Sequence, residues 1–188
     1  MKSTILILGT ITTLFTSCST NRTTLTYEPL LEEQPKNSVV IKLLDFKDSR
    51  HAKDLVGHFR NDYNIPTVKL VARNDVVKWA TSSLREELER SGYTVTGSGS
   101  NAETEIQGNI YDLYCDTGKH YNGRMTLKIK VKRDGKVIFK KKYRTAEDNG
   151  YVWYQNAKSS TRALEMNMQV MNREIIDDLN RNVFTLFN

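Results

Sequence analysis

Residues 125–143 constrain the fold more than any other stretch of the chain. Met125, Leu127, Ile129 and Val131 alternate with Lys128, Lys130 and Lys132. An apolar period of two belongs to a strand with one buried and one wet face. The alternation stops at Arg133-Asp134-Gly135-Lys136 and resumes through Val137, Phe139 and Tyr143. Asp-Gly suits the positive φ angles of a type I′ turn, so the two runs are expected to form a hairpin. Across that hairpin Lys140 and Lys142 share the side of Lys128, Lys130 and Lys132. The opposite side carries Phe139 and Tyr143 and faces the core.

The remaining elements follow from similar signals. Val39 to Leu44 is a nearly continuous apolar run that opens on three β-branched residues, expected as a central strand buried on both faces. Asp45 to Asn64 is polar and reads as irregular; Thr67 to Val71 reads as a short strand after Pro66. Asn74 can cap a helix running to about Arg90, with Asp75 at its positive end. Its apolar stripe is Val77, Ala80, Leu84 and Leu88, and Gly92 supplies the stop. Strands follow at Tyr93–Thr96 and at Thr104–Cys115, where Gly108 is expected to mark a kink. A loop holding Gly150, Tyr151, Trp153 and Tyr154 precedes a long helix from about Ser159 to Phe184. Leu164, Met168, Met171, Ile175 and Leu179 line one side of it. The sum is an α+β fold, an antiparallel or mixed sheet with two amphipathic helices packed on one face.

The first seventeen residues have a different character. Lys2 is followed by the apolar, charge-free run Ile5 to Phe15, then Thr16, Ser17 and Cys18. A bilayer-spanning helix needs about 20 apolar residues, so this run reads as a cleavable export signal. Leu14-Phe15-Thr16-Ser17-Cys18 resembles the bacterial lipobox, with Phe15 standing where Leu is usual. That resemblance implies acylation of Cys18 after removal of residues 1–17. Ser19 at the next position is compatible with transport to the outer membrane. Residues 18–36, polar and holding two prolines, are expected to be a flexible tether, and residues 37–188 a single domain. With Cys18 acylated, Cys115 has no partner for an intramolecular disulfide.

Motifs for chemistry are sparse. His51, His58 and His120 lack metal-ligand spacing, and neither CxxC, HExxH nor a Gly-x-Ser-x-Gly elbow occurs. No catalytic residue, metal or cofactor is therefore assigned. The formal charge of +6 permits contact with anionic lipid or glycan, while export argues against nucleic acid. Lys128, Lys130 and Lys132 could meet lipopolysaccharide phosphates or an acidic polymer, or simply keep a sheet face soluble. Tyr151, Trp153 and Tyr154 could form a binding platform, or staple the C-terminal helix to the sheet.

The strand Val39–Leu44, the Asp48-Ser49-Arg50 that follows it, Val56-Gly57, and the helix closing at Gly92-Tyr93-Thr94-Val95 resemble the YajG family of bacterial lipoproteins. The resemblance extends over most of residues 38–188. It implies an outer-membrane lipoprotein with an α+β domain and no established enzymatic activity, and it singles out Asp48 and Arg50. These two could fix the loop after the first strand, or Arg50 could grip an anionic ligand. The expected role is a non-catalytic binding or assembly module of the cell envelope, with an envelope protein or anionic glycan as partner. The alternatives are an auxiliary lipoprotein of an envelope lipid or ABC transport system, which needs an apolar groove, and a cell-wall hydrolase.

Overall fold

The hairpin is present in the computed structural model, which describes residues 19–151 and 156–184. In chain order the strands are β1 (Ser19–Thr23), β2 (Val40–Leu43), β3 (Lys47–Asp48), β4 (Leu55–Arg60) and β5 (Pro66–Ala72). Helix α1 (Val76–Arg90) precedes β6 (Thr94–Thr96), β7 (Thr104–Thr117), β8 (His120–Arg133) and β9 (Lys136–Tyr151). Helix α2 (Ala157–Leu179) ends in a π turn, Asn180–Phe184. Asp134 and Gly135 join β8 to β9 with φ of 48° and 76°, as the type I′ turn requires. Lys128 lies opposite Lys142, and Lys130 opposite Lys140.

Strand β7 is bonded along both edges. One edge carries β8 in antiparallel register. The other carries β2, β3 and β4 in turn, all parallel to it, at residues 104–106, 109–110 and 115–117. Residues 40–60 thus behave as one interrupted strand, and the sheet is mixed. Beyond this line it forks, with β6 beside β2 and β5 then β1 beside β4. The segment Asp45–Asn64, expected to be irregular, therefore contains two strands. Its mixture of Gly57, His58 and Arg60 hides the alternation, because its outward face is charged.

Both helices cover one face, as the amphipathic stripes predict. Leu164, Met168, Met171, Ile175 and Leu179 are fully buried against Met125, Leu127, Ile129 and Val131 and their neighbours. Leu84 and Leu88 of α1 join the same core as Ile41 and Leu43. Burial along β2 alternates, with Val40 exposed, so this strand is covered on one face rather than two. Gly108 does not kink β7. It leaves room for the Phe46 ring, whose Cε1 lies 2.4 Å from where a Cβ would stand. The irregularity falls at Tyr111, the extra residue between the Ile110 and Asp112 pairings. The cap of α1 is Asp75, whose Oδ1 accepts from the amides of Val77 and Lys78 at 2.8 and 3.1 Å.

The expected tether is replaced by ordered structure. β1 pairs with β5 from Ser19↔Val68 to Thr23↔Ala72. Residues 24–37 then run as a strap along both helices. Asn74 receives the Leu25 amide at 2.8 Å and donates to the Leu25 carbonyl at 2.9 Å. The Trp79 indole donates to the Thr26 carbonyl at 2.8 Å, and Gln169 donates to the Glu28 carbonyl at 2.6 Å. Buried Glu87 accepts from the Tyr27 hydroxyl at 2.6 Å and from the amides of Leu30 and Leu31 at 2.7 and 3.1 Å. Asn172 of α2 donates to the same Tyr27 oxygen at 3.1 Å. Burial, reinforced by the bond to Glu87, raises the Tyr27 pKa far above its ordinary value and keeps the phenol a donor. The sequence looked too polar to pack, but helix side chains meet its backbone groups while Leu25 enters the core.

Glu87→Ala leaves three donors without their acceptor, and each buried unmet group is costly. A loss of about 3 kcal/mol of stability is expected. Hydrogen exchange should show the Leu30 and Leu31 amides losing protection before the β7–β8 ladder does. Unchanged protection at both positions would refute the clamp.

Candidate functional site

The sheet face away from the helices carries most of the ionisable side chains of β7, β8 and β9. Its central part is a depression of about 270 Å³ bordered by Lys47, Gln107, Asn109, Lys128, Lys130 and Lys140. The register explains the assembly: Lys47 pairs with Asn109, Asn109 with Lys128, Gln107 with Lys130, and Lys130 with Lys140. Period-two alternation then turns all of these side chains to one side. Among the described residues, no carboxylate lies within ion-pair distance of Lys47, Lys128, Lys130 or Lys140. Lys142 stacks over the Tyr111 ring at 5.0 Å, a contact that the bulge at Tyr111 makes available. Lys132 stands apart from the group. It meets Glu105 at 3.3 Å, and Glu105 also faces Lys42 at 3.9 Å.

Towards the β7–β8 turn the same face is self-neutralised. Arg124 bonds Asp112 at 2.8 Å and lies over the Tyr114 ring at 4.5 Å. The Tyr114 hydroxyl meets Nδ1 of His58, and Arg60 pairs with Asp116. Burial lowers the His58 pKa; the charges of Arg60 and Lys69 add to this and Asp116 opposes it. Burial likewise raises Tyr114. Both rings are therefore held neutral near pH 7.

Asp48 and Arg50 lie elsewhere, closing the excursion between β3 and β4. Asp48 accepts from the Arg50 amide and Nε at 3.0 Å each and from Nη2 at 2.8 Å. Arg50 also donates to the carbonyls of Leu55, at 3.1 Å, and Lys53. Its side chain is 5 % exposed, so the guanidinium is spent inside the loop rather than offered to a ligand. Burial alone would raise the Asp48 pKa. The hydrogen bonds and charge of Arg50 outweigh it and hold the carboxyl below the usual range. His51 is exposed on this loop while His58 is occupied by Tyr114, so the loop's titratable groups do not form one set. Cys115 is fully buried, and burial pushes its thiol up to about 11, against the pull of Thr117 and Ser160. No group of three His, Cys, Asp or Glu among the described residues is arranged to hold a metal.

Tyr151 ends β9 opposite His120, in strand rather than the expected loop. Trp153, Tyr154 and Cys18 lie outside the described residues. Among the larger depressions, two of about 520 and 500 Å³ lie near Val39–Val40 and near Arg73–Asp75. The first has Glu103 as its one ionisable lining residue, and the second mixes both signs. Neither has the single-sign character of the lysine depression. The lysine rows were readable from their spacing. Lys47 was not, since a two-residue strand leaves no periodic signal.

A family model described as "Uncharacterized lipoprotein", of the YajG type, matches residues 29–183. The chain belongs to this lipoprotein family. No curated protein matches it. Among solved structures, protein XCC0632 from Xanthomonas campestris is similar with a TM-score of 0.61 at 12% identity, over 84% of this chain and 92% of that one. The hypothetical protein CT253 from Chlamydia trachomatis gives 0.51 at 13% identity, over 79% and 99%. At such identities the likeness concerns the fold alone. In this lipoprotein no helix among the described residues is long and apolar enough to cross a membrane.

Removing one partner of a buried ion pair strands the other, so Asp48→Ala should cost about 3 kcal/mol. A carboxyl with a lowered folded pKa contributes fully above its unfolded value and loses that contribution as pH falls through the folded one. The stability gap between the natural protein and Asp48→Ala should hold from neutrality to about pH 4 and close below it. Denaturant titrations at several pH values would check this; a gap independent of acid would contradict it.

Proposed function

We propose that this lipoprotein is held to the periplasmic face of the outer membrane by acyl chains on Cys18. There it serves as a non-catalytic binding module for an anionic polymer of the envelope. The observation that carries the reading is the unneutralised group Lys47, Lys128, Lys130 and Lys140 around one depression. Like charges on adjacent strands repel, and a polyanion bridging them converts that repulsion into attraction. Lysine binds phosphate as a point charge, and a phosphate monoester carries more negative charge at neutral pH than a carboxylate, which suits a group of four ammonium ions. Phosphorylated lipopolysaccharide is therefore the favoured ligand class. A lipid-transfer role has less support, because Tyr27 and Leu31 of the strap fill space beside the helices where an apolar groove would lie.

Lys128→Gln/Lys130→Gln/Lys140→Gln removes three half-screened contacts of about 0.5 kcal/mol each, together about ten-fold in affinity. Calorimetric titration with phosphorylated lipopolysaccharide should show that loss and a further weakening as salt rises. Binding that ignores both the substitutions and the salt would refute the ligand reading. For the anchor, incorporation of a palmitate analogue should vanish in Cys18→Ala, and equal labelling of the two proteins would sink it.

A further inference from the structure

The strand directions gather several chain segments at one end of the sheet. β4 and β7 run parallel and finish there, at Arg60 and Thr117, while β5 and β1 begin there, with Ser19 beside Val68. The turn between β4 and β5 projects from this end. In it Tyr63 is 85% exposed and Ile65 56%. The turn is well built rather than loose. Asn61 Oδ1 accepts from the amides of Tyr63 and Ile65 at 3.1 and 3.0 Å, and the Asn61 amide donates to the Ile65 carbonyl at 3.0 Å. Asn64 takes a φ of 62°, and its carbonyl receives Arg60 Nη1 at 2.7 Å. Two large apolar side chains are thus presented outward by a bonded scaffold.

We propose that this end faces the bilayer and that Tyr63 and Ile65 enter the membrane interface beside the acyl anchor. The inference rests on acylation of Cys18 as proposed above. Cys18 precedes Ser19 by a single peptide bond, about 3.8 Å between Cα atoms. Since Ser19 already pairs with Val68, no spacer separates the lipid from the turn. An acyl chain entering the bilayer from that point brings the neighbouring turn to headgroup depth. Tyrosine, with an apolar ring and a polar tip, suits that layer. Exposed Lys119, in the adjoining β7–β8 turn, and exposed Lys158, at the start of α2, lie at the same end and complement anionic headgroups, with Asp62 opposing them. Lys128 is eight residues along β8 from His120, so the lysine depression would stand about 27 Å above the interface.

The acylated full-length protein would carry an environment-sensitive fluorophore at Tyr63→Cys, Ile65→Cys or, at the far end, Val137→Cys. Each would be reconstituted in vesicles of phosphatidylethanolamine and phosphatidylglycerol containing nitroxide-labelled lipid. Cys115 is buried and does not compete for label. Mass measurement of the N-terminal peptide comes first: an unmodified Cys18 would end the anchoring reading and this proposal with it. With Cys18 acylated, quenching several-fold stronger at positions 63 and 65 than at 137 is expected. Equal quenching at all three overturns the orientation and leaves the anchor standing. A probe at 63 shielded from water but untouched by the lipid quencher would mean contact with a second copy of the chain, and would overturn it as well.

Discussion

The double-edged pairing of β7 is the constraint from which the other positions follow. Its β8 edge sets Lys130 beside Gln107 and Lys128 beside Asn109, while the Asp134-Gly135 turn sets the opposition of Lys128 to Lys142 and Lys130 to Lys140. Its other edge captures residues 40–60 in three parallel pieces and decides where the chain must leave the ladder. One departure seats Phe46 over Gly108. The other becomes the loop that Asp48 and Arg50 close. Because the same strand supplies Ile106 and Ile110 to the core and Gln107 and Asn109 to the open face, folding and the candidate site share one register. A slip of one residue would exchange them.

The hairpin, both helical stripes and the rows of lysines were legible because each repeats a period over several residues. What escaped notice lacked repetition. β4 hides among charged residues because its outer face belongs to the network of His58, Arg60, Tyr114 and Asp116. The strap hides because its order comes from single side chains a long way off in sequence, such as Glu87 and Gln169, meeting backbone groups. Composition reports the segment's polarity and is silent on whether that polarity is satisfied. Asn74 shows the same limit. It sits where a helix cap is expected, yet it binds the Leu25 backbone and leaves the cap to Asp75.

The candidate site was legible in the same partial way. Three lysines could be placed on one face from their spacing alone. Which of them lack a counter-charge depended on Glu105, whose place opposite Lys132 is a matter of register. Arg50 is the converse: a basic residue beside an acidic one after a strand reads equally as ligand grip or loop brace. Only the loop's carbonyls, converging on its guanidinium, distinguish the two.

The parallel alignment of β1 with β5 has a mechanical consequence. For a chain restrained at its N-terminus, a pull on the domain acts along the strand axis, so the β1–β5 hydrogen bonds are loaded together in shear. They are not unzipped one after another. Behind them, the bonds of Asn74, Trp79 and Glu87 to the strap form a second set that must yield before the helices come away. Tension at the attachment point is thereby shared across strand and strap before it reaches the core.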